Sequence, residues 1–323
     1  MGDFGSGTTT DEVLEGVDLT GRRVLVTGAA VGLGRETARA MAAHGADVTI
    51  LARSAERAAE GAAAVEALVP GARLDTGVVD LGSLASVNAF ADGWLADHDA
   101  FDVLVNNAGV MACPFGHTAD GFETQFGTNH LGHFLFTTLL KEPLATAVAE
   151  HGSARVVVLS SGGHRLSPIR WDDPNWERSE DYFNWTAYGQ SKTANALFAL
   201  ELDRRWSSDG IRAFSVHPGM IATDLGRHMQ AEDFEYLSSV RRTGADSADG
   251  GRAVFKSVPQ GAATTVWAAT SPALEAHGGA YLENCSVAEP VDDPDATHGV
   301  RSWARDPDQA VRLWELSEDL VGA

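Results

Sequence analysis

Cysteine is scarce in this chain, with only Cys113 and Cys285 among 323 residues. Neither lies in a CxxC pair or at zinc-ligand spacing, so no metal site is expected and both thiols are expected free in a reducing compartment. Basic residues are in deficit too: 24 Lys and Arg against 45 Asp and Glu leave a formal net charge of −21. Such a chain repels nucleic acid and anionic membrane surfaces at long range, and neither is expected as a partner. Long apolar runs are also absent. No stretch approaches ~18 uninterrupted apolar residues, so no membrane span is expected. The opening MGDFGSGTTTDEV has neither a basic start nor an apolar run, which argues against a signal peptide and for a cytoplasmic protein. Hydrophobic residues at 44% and charged residues at 21% make an ordinary globular balance.

Length alone permits one or two domains at ~150 residues each. The absence of an internal repeat or low-complexity linker favours one. Strand-like runs begin at Arg22 (RRVLVTG), Ala46 (ADVTIL), Arg73 (RLDTGVV), Asp102 (DVLVNN), Ala154 (ARVVVLS) and Ile211 (IRAFSVH). Between them lie Ala-rich stretches of helical length, such as Arg35 to His44 and Ser54 to Leu68. This alternation predicts an α/β fold, a doubly wound parallel sheet with right-handed crossovers and helices on both faces. The expected organisation is an N-terminal extension over 1–18 and a single domain over 19–323. Two stretches, near 164–185 and 219–259, break the alternation after strand ends and are expected as loops over an active site. Their tryptophans and Phe234 either line an apolar substrate or simply pack the loops. The tail from Pro307 to Leu320 spaces Ala310, Val311, Leu313, Trp314 and Leu320 as a helix docked by one face.

The run VLVTGAAVGLG joins a buried strand to a helix. Glycines at 28, 32 and 34 permit a tight turn and close approach of a pyrophosphate to the helix N-terminus, although turn chemistry alone also explains such glycines. The second strand ends in Leu51-Ala52-Arg53. A carboxylate there would bind the ribose of NAD; the arginine suits a 2′-phosphate, so NADP(H) is expected over NAD(H). FDVLVNNAGV brings Asn106, Asn107 and Gly109 to another strand end, where they either form a turn or let backbone pass under a flat cofactor. Phe122, Phe126, Asn129, His133 and Phe136 follow at helical spacing. Asn129 on that apolar stripe is either a satisfied structural amide or the holder of a catalytic water. His130 and His133 lack a third ligand and read as packing or hydrogen-bonding residues.

TAYGQSKTANALFALEL is the strongest local signal. Tyr188 and Lys192 are four apart and share a helix face. An ammonium beside a phenol favours phenolate and lowers the tyrosine pKa from ~10, which suits proton exchange with a carbonyl or alcohol oxygen. Ser160-Ser161 ends the preceding strand, where a hydroxyl can bond a developing oxyanion.

Taken together and in order, TGAAVGLG, Asp80-Leu81, NNAG, Asn129, Ser161, YGQSK and VHPG resemble the motif set of the short-chain dehydrogenase/reductase family over roughly Leu19 to Pro290. The resemblance implies a seven-stranded Rossmann-like sheet and a catalytic tetrad of Asn129, Ser161, Tyr188 and Lys192. In it Tyr188 exchanges the proton, Ser161 orients the substrate oxygen, Lys192 binds the nicotinamide ribose and tunes Tyr188, and Asn129 supports a water-linked relay. The implied cofactor site is Gly28, Gly32, Leu33, Gly34, Arg53, Asp80, Leu81, Asn107, Ala108, Gly109, Tyr188, Lys192, Pro218, Gly219 and Thr223. Ser161 lies further from Tyr188 than in the shortest members, which makes Ser160 a rival. Val31 stands where a basic residue is frequent in NADP users, leaving Arg53, and less so Arg35, to favour NADP.

TNHLGHFLFT, SSGGH, AYGQSKTANALF and RLWELSEDLVG look like the retinol dehydrogenase and WW-domain oxidoreductase branch. That similarity implies hydride transfer between NADP(H) and a hydrophobic carbonyl or alcohol. Retinoids themselves are not expected, since no apolar anchor precedes the domain. Protochlorophyllide reductases are similar in the same segments, so carbon–carbon double-bond reduction is an alternative, as is a dinucleotide sensor or scaffold without turnover. The helix from Ala194 to Leu202 is apolar on most sides, which suits a homodimer or homotetramer interface unless the tail covers it.

Overall fold

All six apolar runs form strands: β1 Arg23–Thr27, β2 Asp47–Ala52, β3 Leu74–Val78, β4 Val103–Asn106, β5 Ala154–Leu159 and β6 Ile211–His217. They belong to a computed structural model that describes residues 4–230, 232–233, 235–236 and 255–322. β7 Tyr281–Glu283 and β8 Ser286–Val287 complete an eight-stranded sheet of order 3-2-1-4-5-6-7-8, parallel except for the β7–β8 pair. The seven-strand expectation missed β8. Its two-residue turn, Asn284-Cys285, holds both residues at left-handed φ (+53° and +54°), the conformation of a tight hairpin. The Cys285 N–H donates to Thr264 Oγ1 at 3.1 Å, which anchors that turn.

β1, β4 and β5 are almost wholly buried, as expected of parallel strands covered on both faces. In chain order the α-helices among the described residues are α1 Thr10–Leu14, α2 Gly32–Ala43, α3 Ala55–Leu68, α4 Leu84–Asp97, α5 Thr124–Phe126, α6 Gly132–Leu139, α7 Lys141–His151, α8 Asn184–Trp206, α9 Val258–Thr270 and α10 Pro307–Val321. Local chemistry sets several boundaries. Ser54 and Ser83 accept the N–H groups of Arg57 and Ser86 at the starts of α3 and α4, and a Ser257–Gln260 capping box opens α9. One core packs α1, α2, α3 and α9 on one sheet face, around Met41, Val65 and Val266. The other packs α4, α6, α7 and α8 on the opposite face, around Phe134, Phe136 and Phe198. This is the doubly wound, Rossmann-like architecture, with its topological switch between β1 and β4. α1 lies within residues 1–18 and packs on α2 and α9, with Thr10, Val13 and Leu14 buried.

Between α5 and α6 the chain widens into a π-helical turn over Gly127–Leu131, which the spacing of apolar residues did not reveal. The C-terminal tail forms α10 and lies on α8. Trp314 packs edge-on against Phe134 and Trp206 and beside Phe198, and the Arg205 guanidinium sits 4.5 Å from the Trp314 ring centroid. The apolar face of Ala194 to Leu202 is thus occupied within the chain: Ala194 and Leu197 pack against Ala310 and Leu313.

The stretch 164–185 holds two short 3-10 turns up to Phe183, and α8 begins at its end with Asn184. Two of its tryptophans serve packing rather than a substrate. Trp176 is buried beneath the Arg170 guanidinium, and Trp171 stacks with Arg312 of α10. Trp185 alone reaches Tyr188. Phe234 and much of the second expected loop lie outside the described residues.

Candidate active site

At the switch point, the Thr27 hydroxyl accepts the N–H groups of Asn107 and Ala108 at 2.9 and 3.0 Å. The Asn107 side chain donates to the carbonyls of Thr27 and Gly28 at 2.8 and 3.3 Å. The ends of β1 and β4 are therefore stitched together beneath the glycine-rich turn. Gly28 has φ +65°, and a Cβ there would stand 2.9 Å from Ala108 Cα, so no side chain fits. Gly32, at φ +59°, opens α2 opposite Thr223. Neither a side-chain cap from Val31 nor an acidic residue occupies the first turn of α2, where Leu33, Gly34 and Arg35 lie. Its N–H groups and dipole face the crevice.

Arg53 follows β2, exposed, and no described carboxylate pairs with it. Asp80 and Leu81 follow β3. Asp80 accepts the Gly82 N–H at 3.0 Å, while Leu81 is buried. Pro218 and Gly219 follow β6, and Thr223 caps the next 3-10 turn by accepting the Leu225 N–H. These residues fit a dinucleotide along the carboxyl edge of the sheet. A left-handed glycine cradle and an open helix N-terminus suit a pyrophosphate, and Arg53 and Arg35 provide cations within reach of α2.

Across the crevice, Tyr188 and Lys192 lie on one face of α8, with Lys192 Nζ 5.7 Å from the Tyr188 ring centroid. Nζ donates to the Leu159 carbonyl at 3.0 Å. The two serines at the end of β5 separate clearly. Ser160 Oγ is buried and donates to the Lys192 carbonyl at 2.7 Å. Ser161 Oγ accepts the Gly163 N–H at 3.0 Å and hydrogen-bonds the Tyr188 hydroxyl. Asn129 sits in the π-helical turn with its side chain satisfied inside the protein. Oδ1 accepts from Val110 N at 2.8 Å, and Nδ2 donates to Val110 O and Ser191 Oγ at 2.9 and 3.0 Å. Ser191 Oγ in turn donates to the Tyr188 carbonyl, joining this amide to α8. Gly109 passes between these groups, where a Cβ would stand 3.1 Å from Asn129 Oδ1.

The charge balance differs from the expectation that Lys192 lowers the Tyr188 pKa. Burial pushes the phenol up to about 12, only partly opposed by its bond to Ser161. Burial also pulls the Lys192 ammonium down to about 7. Desolvation of both groups outweighs their mutual effect, because each charged form has lost its water and no carboxylate compensates. Near neutral pH Tyr188 is thus a protonated phenol poised to donate, and the Lys192 ammonium gives up its proton more readily than a solvated one.

Three histidines hold this scaffold: His133, expected as a packing or hydrogen-bonding residue, and His164 and His217, which the motifs carried without a role. His133 links Thr27 Oγ1 at 2.9 Å to the Asn129 main-chain carbonyl at 3.0 Å, tying the cofactor floor to the π-helical turn. His164 Nε2 accepts the Arg301 N–H, which leaves Nδ1–H to donate to the Ser161 carbonyl at 2.8 Å. His217 Nδ1 accepts from Gly162 N at 2.9 Å and Gly219 N at 3.3 Å, bridging the loops after β5 and β6. Only SSGGH and VHPG pointed at the last two, since the bonding partners are remote in sequence. Tyr188 packs in an apolar cluster with Ala112 and Trp185, and Met111, Leu166, Met229 and Tyr236 lie against that cluster. The geometry offers a proton donor and a second hydroxyl at one point, beside a cradle for a dinucleotide and bordered by apolar side chains.

Comparison with known proteins agrees with this geometry. The family model described as short chain dehydrogenase matches residues 22–171. A probable oxidoreductase of Streptomyces lividans is 43% identical over 312 residues, covering 95% of this chain and 100% of the relative. Mouse retinol dehydrogenase 12 is 37% identical, covering 99% of this chain and 91% of its own. Among solved structures, RhlG of Pseudomonas aeruginosa in an NADP active-site complex superposes with a TM-score of 0.61 at 25% identity, covering 82% and 95% of the two chains.

Proposed function

Because the chain belongs to the short-chain dehydrogenase/reductase family, near its retinol dehydrogenase branch, and is an oxidoreductase of CH–OH/C=O groups with NAD(P), we propose that it reduces hydrophobic carbonyl compounds, or oxidises the matching alcohols, with NADP(H). The observation that carries this reading is the convergence of the Tyr188 and Ser161 hydroxyls at the carboxyl edge of β5, beside an apolar cluster.

Gly28, Gly32, Leu33 and Gly34 would hold the pyrophosphate, Asp80 and Leu81 the adenine end, and Asn107, Ala108 and Gly109 the floor under the sugar and ring. Pro218, Gly219 and Thr223 would flank the nicotinamide. Arg53 supports NADP(H) over NAD(H), because a guanidinium pairs with a 2′-phosphate and repays no contact to a bare ribose. The complex of RhlG with NADP supports the same preference. The bound cofactor supplies or accepts the hydride. Tyr188 Oη gives its proton to the substrate oxygen in reduction, and a phenol kept protonated by burial is in the right state to do so. Ser161 Oγ bonds the same oxygen as charge develops there. Lys192 lies where the ribose would reach it, and its charged form would favour the phenolate left behind. Asn129 and Ser191 hold the π-helical turn against α8, so the proton-transferring groups keep their spacing.

The test follows nicotinamide absorbance with a panel of hydrophobic ketones, aldehydes and secondary alcohols. NADPH and NADP⁺ are compared with NADH and NAD⁺. Turnover is expected with the phosphorylated pair, falling ~10²–10⁴-fold in Tyr188→Phe while NADPH binding persists. Undiminished turnover in that variant, or tight NADPH binding with no turnover on any carbonyl or alcohol, refutes the proposal.

A further inference from the structure

A buried carboxylate outside the tetrad bears on the same apolar cluster. Asp233 is 7% exposed and follows Met229 and Gln230 in the segment after β6. Its Oδ1 accepts the Trp185 indole N–H at 2.7 Å and the Asn184 side-chain amide at 2.9 Å. Its Oδ2 accepts the Gln230 backbone N–H at 2.7 Å. These three donors are neutral. A carboxylate, which only accepts, can satisfy converging N–H groups that an amide or hydroxyl would meet in part with a donor of its own.

The donors come from separate places. Asn184 and Trp185 open α8, one turn before Tyr188. Asn184 Nδ2 also lies 3.3 Å from the carbonyl of Ala112, in the loop after β4. The Gln230 N–H belongs to the segment after β6. Trp185 stands edge-on to Tyr188, with ring centroids 6.1 Å apart at 88°, and its other neighbour is the Tyr236 ring at 6.0 Å and 28°. Met229 packs on the same cluster.

We propose that Asp233 is a positioning residue: by holding Trp185, Asn184 and the Gln230 backbone together, it docks Met229 and Tyr236 on the apolar cluster that holds Tyr188. It touches no reacting atom and acts through Trp185 and that cluster. The inference rests on the carbonyl/alcohol reading for its kinetic consequence, while the docking itself is independent of it.

The experiment compares Asp233→Ala and Asp233→Asn with the unaltered chain. The asparagine keeps an acceptor for Trp185 and turns an N–H toward Gln230. Three quantities are read: KM and kcat on a hydrophobic carbonyl from the panel, NADPH affinity, and hydrogen exchange at the Gln230 amide. Expected for Asp233→Ala is a KM raised about tenfold, kcat within about threefold, unchanged NADPH affinity and Gln230 exchange faster by about tenfold or more. Asp233→Asn should fall between. A variant that merely melts earlier, with KM unaltered, overturns the proposal, as does unchanged exchange at Gln230. Should the unaltered chain turn over no carbonyl, the carbonyl reading fails; faster Gln230 exchange in both variants then still supports the docking role.

Discussion

Mild acid should destabilise this fold through three histidines buried as neutral rings. His130, His133 and His164 are 0% exposed, and burial pulls their pKa values down to about 3, 4 and 3 from an ordinary 6.5. Each folded-state pKa lies below the unfolded value, so below pH 6.5 the unfolded chain binds protons that the folded chain refuses. The stability these rings contribute is intact above pH 6.5 and drains as pH falls toward the folded values. At pH 5 each ring costs about 2 kcal/mol relative to pH 7, or about 6 kcal/mol for three acting independently. Half that figure is still a large part of the ~5–15 kcal/mol that holds a domain folded. Lys192, lowered from an ordinary 10.5 to about 7, costs stability as pH falls from 10.5 toward 7, so its penalty is already nearly complete at pH 7 and changes little in this window. Thermal melting followed by circular dichroism from pH 7 to 5 should show Tm falling by on the order of 10 °C. His130 offers the sharper control. Its Nε2–H donates to Ser317 Oγ, whereas Nδ1 has no partner among the described residues and lies among Phe126, Phe134 and Phe198. His217, whose pKa burial also holds well below 6.5, adds to the same slope, so His130→Leu should remove about a quarter of the pH dependence. A Tm that stays level down to pH 5, or a slope untouched by that substitution, would refute the reasoning.

Three further outcomes can be checked directly. Arg53→Ala should lower kcat/KM for NADPH by ~10–100-fold, the range for losing a charge-assisted bond, and leave NADH within about threefold; equal losses with both cofactors would remove Arg53 from the 2′-phosphate site. Ser161→Ala should cut kcat by ~10²-fold or more, whereas Ser160→Ala, which loses its bonds to the Lys192 carbonyl and the Tyr281 hydroxyl, should cost about 1–2 kcal/mol in denaturant unfolding with turnover nearly kept. The reverse pattern would move the oxyanion role to Ser160. Trp314→Ala should cost ~3–5 kcal/mol of stability and, by baring the Phe134–Phe198–Trp206 face, promote self-association on size exclusion; an unchanged Tm would mean that α10 contributes little.

Much of the architecture was legible because it is written in local periodicity. Val/Ile/Leu runs bounded by Gly and Asn read as buried parallel strands, and all six became β1 to β6 in the expected order. Tyr188 and Lys192 needed only the helical repeat to share a face. Local pattern could not report β8, a two-residue strand whose turn depends on the bond from Cys285 to Thr264. Nor could it report the π-helical turn at Asn129, since Gly127, Asn129, His130 and Leu131 are all buried and the segment has no one-sided stripe whose shift would show.

What the sequence by itself determined, then, was the identity and order of the elements and the chemical types brought to the strand ends, because these follow from side-chain periodicity and from turn chemistry within a few residues. Tertiary structure alone decided how those groups behave. It assigned Ser161 rather than Ser160 to Tyr188, satisfied the Asn129 side chain within the protein, and laid Trp314 over the apolar face of α8. It also raised the Tyr188 pKa and lowered that of Lys192, the opposite balance to the one adjacency suggested. The physical reason is that desolvation and remote hydrogen-bond partners set these properties, and both depend on what surrounds a residue in space rather than on what precedes it in the chain.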